Sequence, residues 1–315
     1  MAVGVNTAVT KAQVEQRLRG NSRDVVGTLF RAALLLSLLL TLGLLMLLLG
    51  DVLRRGLPVL SERGASFFTS GSSTAAARSG IGQALAGSIA LVIIVALVAL
   101  PIGIAAAVYI EEYARDTRVT RFITANIRNL AGVPSIVYGI LGLVIFVDFL
   151  RRFLSGLNST GGLISGGLTL AVLVLPIVII TASEALRAVP SGIREAAYGV
   201  GATRWEVIRS HVLPYAAPGI LTGVVLTLAR AFGETAPLIL VGAIQGFFSS
   251  GGASSVGSKL LGAYTALPVL IYDWTGRPER EFTDLAAAAI VVMMVVLLIV
   301  NGLAIYLRNR YERKW

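Results

Sequence analysis

Arg230 and Glu234 stand four residues apart in LTLARAFGETAPLIL, residues 226–240, a run otherwise oily enough to sit in a lipid bilayer. On a helix, positions i and i+4 share a face, so the two charges are expected to pair and to point together into a protein-lined cavity. An arginine at the centre of a membrane helix costs about 2.5 to 3.5 kcal/mol on insertion scales, and a carboxylate is similarly disfavoured. Two readings meet that cost: a pair that only pins helices together, and a pair that lines a pathway. Guanidinium chemistry gives the second its content, because the planar donors fit two oxygens of a tetrahedral oxyanion and the group stays charged at any physiological pH. A bare arginine would hold the anion too tightly to release it, and the neighbouring carboxylate weakens the site. Thr227 and Thr235 are candidate hydroxyl donors beside the pair, although Thr in membrane helices commonly bonds its own backbone.

The elements that must position these residues are apolar. The 315 residues are 56% hydrophobic and only 14% charged, too little polar material to coat a water-soluble globule, so an integral membrane protein is expected. The apolar runs are long and uninterrupted, not ten-residue alternations, which favours helices over a barrel and makes the fold class all-α. With no Cys in the sequence, disulfides, thiolate metal sites and cysteine nucleophiles are excluded, and the single His leaves little for zinc or triad chemistry. The net charge of +10 fits loops facing anionic lipid better than nucleic acid.

Six segments reach the ~20 residues that a bilayer requires: about 29–50, 84–110, 130–149, 163–182, 217–242 and 285–307. Residues 1–28 form a polar N-terminal segment, and 29–315 a transmembrane domain. The polar leader ahead of the first run, and the length of that run, mark it as a retained anchor and not a cleaved signal peptide. An even count of spans puts both termini on one side. Basic residues gather before the first span, in the 111–129 and 183–216 loops and in the tail, which makes that side cytoplasmic. The first outer loop, with Arg54, Arg55, Arg63 and Arg78, runs against this pattern. Gly219 and Gly223, with Thr227 and Ala231 beyond, place small residues at four-residue intervals where another helix can approach. Pro101, Pro134 and Pro237 fall in spans and can kink them. GASSVGSK, residues 252–259, comes close to the phosphate-cradling pattern G-x-x-x-x-G-K-[ST], but Ser258 stands where the lysine belongs and no strand precedes it, so that reading is rejected.

Between the fourth and fifth spans lies ALRAVPSGIREAAYGVGATRWEVIRSHVLPYAAPG. Pro190 and Ser191 open a helix in which Ile193, Ala196, Ala197 and Val200 form one small apolar stripe. Gly201 is placed to end it in a left-handed conformation. Thr203 and Glu206 match a capping box, so a second helix starts at once and runs to Pro214. The result is a helix, a glycine elbow and a helix. Its alanine stripe is too small for a core of its own and suits either a partner's groove or the lipid surface.

The run from Glu195, EAAYGVG…HVLP, resembles the EAA loop of ABC importer permeases: Glu195, Ala196, Ala197, Gly201, Leu213 and Pro214 match, whereas His211 stands where that family usually has Ile. ARAFGETAPLIL, IEEYA (110–114), VPSIVYGILGL (133–143) and TALPVLIYDW (265–274) narrow the resemblance to the A-type permeases of phosphate-specific transport systems, from about residue 80 onward. The resemblance implies a six-span permease with no cofactor and no catalytic residue of its own, seated through its 191–214 coupling helix on a cytoplasmic ATPase. It implies as partners a homologous C-type permease, two copies of the ATP-binding subunit carrying ATP and Mg, and an extracytoplasmic phosphate-binding protein. It also implies that Arg230 receives phosphate. Glu234 would then favour hydrogen phosphate, which has a hydroxyl to donate, over sulfate, which has none. A molybdate or sulfate permease and a proton-coupled carrier using Glu234 remain the alternatives. No inverted repeat supports the carrier, and no H-E-x-x-H or G-x-S-x-G pattern supports an enzyme.

Overall fold

The computed structural model describes residues 25–149, 152, 162–243 and 261–311. The chain divides into two compact units, Met1–Val52 and Leu53–Trp315. In the first, the described residues form the leading part of helix α1 (Val25–Arg63), whose leucine-rich sequence makes it a candidate span. Most of the N-terminal segment expected at 1–28, and the GASSVGSK stretch, lie outside the described residues.

The second unit is built from helices that bury small and branched side chains against one another. They are α2 (Ala65–Thr69), α3 (Gly82–Val108), α4 (Arg118–Ala131), α5 (Ser135–Gly142), α6 (Leu163–Arg187), α7 (Ser191–Gly199), α8 (Arg204–Val207), α9 (Leu213–Gly233), α10 (Ala236–Leu240), α11 (Leu267–Thr275) and α12 (Arg280–Tyr311). The described residues contain no strand, as the long apolar runs require. Helix α6 is the central element: Leu170, Leu173 and Val174 pack with Leu91, Val95 and Ala99 of α3, Tyr138 of α5 and Leu238 of α10. The approach is close because Gly103 of α3 leaves no room for a side chain against Val178, and Gly223 of α9 leaves none against Thr181. The four-residue ladder of small residues therefore serves helix packing: Gly219, Gly223, Thr227 and Ala231 are α9's line of approach, with Gly219 against Ala185 and with Thr227 and Ala231 buried. A second cluster joins Phe67, Ile81, Trp274, Phe282 and Leu285. Leu267 is tied across to α3 by its backbone N–H, which donates to Ser88 Oγ at 2.8 Å. Arg63, one of the arginines running against the charge pattern, is spent on its own loop, donating to the carbonyls of Ser79 (2.6 Å) and Ala76 (2.7 Å).

Among the described residues, five helices are long and apolar enough to cross a membrane, and a bent pair, Arg118–Ala131 with Ser135–Asp148 at 101°, makes a sixth if it is one span. Here the structure corrects the sequence reading. Pro134 is not inside a span but precedes α5 in an extended conformation (φ −55°, ψ 136°), because a proline has no N–H to give a continuing helix and disfavours helical backbone in the residue before it. Helix α4 thus lies across the direction of α5 instead of extending it.

Candidate functional site

Helix α9 does not begin at residue 217. Arg204–Gly233 is a single helical rod of 30 residues, in which the α8 turn passes through a π turn (Ile208–Val212) into α9. Pro214 therefore does not stop the second elbow helix; it follows directly on the π turn, the irregularity in the hydrogen-bond ladder at which the rod takes in a residue with no N–H. The rod ends at Gly233. Pro237 supplies the reason: in a continuous helix its ring would collide with the carbonyl four residues back, that of Gly233, and it has no N–H to offer there. Glu234 is left as an extended cap residue (φ −74°, ψ 125°), and Thr235 precedes the short helix α10. Gly139 of α5 lets α10 in, as a Cβ there would lie 2.7 Å from the Cα of Pro237.

The charge pair expected at 230 and 234 forms at this break. Arg230 Nε lies 3.3 Å from Glu234 Oε1, with half of the arginine side chain exposed and the carboxylate largely covered. The spacing is i,i+4, but the pair closes around a helix end, not along a helix face. Arg230 lies in the last turn of α9, where the unsatisfied carbonyls favour a cation. It belongs to an open stripe with Thr222, Leu226 and Gly233 that no described residue covers. Thr227 turns the other way, fully buried with its hydroxyl donated to the Gly223 carbonyl at 2.8 Å, so it is not beside the guanidinium. Thr235 adjoins Glu234, partly exposed, and does not cap α10.

At the other end of the rod is the elbow. Helix α7 opens after Pro190, as its sequence requires, and the chain reverses through Gly201 at φ +84°. The capping box is present: the Thr203 N–H donates to Glu206 Oε2 at 2.7 Å, and the Glu206 N–H to Thr203 Oγ1 at 3.4 Å. The apolar stripe does not hold as a unit. Helix α7 stops at Gly199, so Val200 leaves the helical wheel and is 85% exposed, whereas Ala197 is buried and Ile193 packs in beneath it. Ala197 joins Ala107, Leu186, Val207 and Val212 in a core that holds the elbow to α3 and α6, with Leu213 packed at its edge. Glu195 and Ala196 face outward with Tyr198, Val200 and Trp205.

Three charged residues that the sequence reading did not bring together meet here. Glu112, buried in a π turn (Tyr109–Tyr113) that ends α3, pairs with Arg194 of α7 at 2.8 Å. Arg204 donates to the Glu112 carbonyl and lies over the Tyr113 ring, 4.9 Å from its centroid. The signal was an acidic pair closing a long apolar run, with arginines on both arms of the elbow to answer it. Among the described residues, no group of His, Cys, Asp and Glu is placed to hold a metal ion.

Residues 99–313 match the family model described as binding-protein-dependent transport system inner membrane component. Over 180 residues the chain is 37% identical to the probable ABC transporter permease protein YqgI of Bacillus subtilis, a match spanning 57% of this chain and 59% of that relative's length. Over 277 residues it is 32% identical to the phosphate transport system permease protein PstA of Haemophilus influenzae, across 87% of this chain and 90% of that one. The fold is shared with a chain of a bacterial alginate ABC transporter, solved in complex with its alginate pentasaccharide-bound periplasmic protein, at a TM-score of 0.65 and 16% identity over 93% of this chain and 96% of that one.

Proposed function

The chain belongs to the family of binding-protein-dependent transport system inner membrane components, and from that premise we propose that it is the membrane-spanning subunit of an ATP-driven importer of inorganic phosphate. The observation that carries the reading is the Arg230–Glu234 pair, held at a helix break on the open stripe of α9 at one end of a rod whose other end is the elbow. At 1.5 Å per residue the rod is about 45 Å long, enough to connect one membrane surface to a site across the bilayer. The identity to a phosphate permease over most of both chains supports the choice of anion.

The chemistry follows from the two groups. Arg230 offers donors to the oxyanion from the C-terminal end of α9, where a cation is favoured. Glu234 accepts a hydrogen bond from the hydroxyl of hydrogen phosphate, repels sulfate and loosens the arginine's hold, so that the anion leaves as readily as it enters. A second, C-type permease would complete the conduit by covering the stripe that carries Thr222, Leu226 and Arg230. The elbow, with Glu195, Ala196, Tyr198, Val200 and Trp205 outward, would seat on an ATP-binding subunit present in two copies, which holds ATP and Mg and performs the hydrolysis. A phosphate-binding protein delivers the anion from the far side, and both termini are cytoplasmic. Drawing the ATPase subunits together moves the elbow and, through the unbroken rod, the end that carries Arg230.

Uptake of inorganic phosphate into vesicles holding the assembled complex tests this reading. ATP without a proton gradient should drive uptake. Transport that needs the gradient and ignores ATP would turn the reading toward a secondary carrier, and uptake of sulfate or molybdate in its place would move it to another anion.

A further inference from the structure

We propose that Glu112 is the joint through which movement of the elbow is passed to α3. The inference rests on the importer reading above.

A carboxylate as covered as this one, with 7% of its side chain exposed, is unfavourable unless its oxygens are paired. Arg194 pairs it with two donors on one oxygen, Nη2 at 2.8 Å and Nε at 3.3 Å. The same guanidinium also reaches the frayed end of α6, where Nη1 donates to the Val189 carbonyl at 2.8 Å and Nη2 to the Leu186 carbonyl at 2.9 Å. One side chain from α7 therefore holds the ends of two spans at once. The second arm of the elbow grips the same turn. Arg204 donates to the Glu112 carbonyl, which is free to accept because the last carbonyls of a helix have no partner within it. The π turn is the kind of local irregularity that recurs at functional positions, and it sets Glu112 where both cations meet.

Three spans leave the elbow by different connections. Helix α9 is continuous with it, so any elbow movement reaches α9 whatever else is broken. Helix α6 runs into the elbow through residues 188–190 and accepts Arg194 at two of its last carbonyls, whereas the elbow's polar links to α3 run through Arg194 and Arg204 to Glu112, with a small apolar contact beneath them. With the joint intact the three span ends move together. With it broken, α9 and α6 still follow the elbow through the backbone while α3 lags, and the conduit's walls no longer shift in step.

The test uses the complete transporter in vesicles, with inorganic phosphate as the probe. In Glu112→Gln the shape and the carbonyl contacts of Arg194 persist while the charge is gone. The ATPase subunits should still co-purify and hydrolyse ATP within about twofold of wild type, and phosphate moved per ATP should fall about tenfold, the scale of one lost charge-assisted hydrogen bond. Arg194→Gln strands the buried carboxylate and should assemble poorly. Adding Glu112→Gln to it should restore assembly without restoring phosphate moved per ATP, a split that a merely stabilising ion pair would not produce. Wild-type coupling in Glu112→Gln, or in the double variant, would overturn the joint.

A second readout needs no phosphate. In this cysteine-free chain, spin labels attached through Tyr109→Cys and Gly192→Cys report the separation of the α3 end from α7. ATP should leave that separation unchanged beside Glu112 and shift it by more than about 2 Å beside Glu112→Gln. Equal behaviour in both backgrounds would overturn the joint even if the wild-type complex took up no phosphate, a result that would instead count against the importer reading.

Discussion

Arg230 carries the account at the level of single residues, and the structure changes the reason for its position. The sequence shows the two charges and their spacing, and from these a pair follows directly. It does not show by spacing alone that the pair encloses a helix end; that follows from Pro237, whose steric conflict falls on Gly233. Replacing Arg230 with Ala should lower phosphate uptake by about 10- to 100-fold, the cost of losing a charge-assisted contact, while ATP hydrolysis continues. Glu234→Gln should leave phosphate uptake measurable but narrow the preference for phosphate over sulfate in competition assays. Unchanged discrimination would remove Glu234 from that role. Thr227 has no such part: its hydroxyl is already donated to Gly223, and Thr227→Val should leave uptake within about twofold of wild type.

The elbow is the element where sequence and structure agree most closely, because its signals are local. A proline before α7, a left-handed glycine and a capping box each follow from a few neighbouring residues. The agreement ends where distant packing decides. Nothing in the pattern of Ile193, Ala196, Ala197 and Val200 says that α7 stops at Gly199, or that Ala197 turns inward against α3 and α6. Glu112 was out of reach for the same reason, lying 82 residues from its partner Arg194. At Gly201 a Cβ meets no neighbour, so Gly201→Ala adds backbone strain alone, about 1 to 2 kcal/mol. That variant should shift ATP hydrolysis away from uptake without loss of membrane insertion, and Gly201→Pro should do so more severely. Thr203→Ala removes the cap of α8 and should cost about 1 kcal/mol in the thermal stability of the purified chain. Gly87→Ala tests the opposite end of α3: the added methyl would collide with the Thr265 carbonyl, so the melting temperature should fall by the equivalent of about 1 to 3 kcal/mol.

For the whole molecule, composition alone determined the class, since so apolar a chain has no soluble solution. Five to six candidate crossings were legible from hydropathy, but a window of apolar residues cannot register the 101° bend at Pro134 that opens the third. The central claim is that the open stripe of α9 faces water in a conduit and not acyl chains. Leu226 lies one turn from Arg230 on that stripe and is 65% exposed, and the chain has no cysteine to compete with a probe. The most direct measurement is the rate at which a membrane-impermeant, anionic thiol reagent modifies Leu226→Cys in the assembled, membrane-embedded transporter, with and without inorganic phosphate. The account predicts steady modification that phosphate slows. A thiol that stays unreactive in the membrane and becomes reactive only in detergent would contradict it.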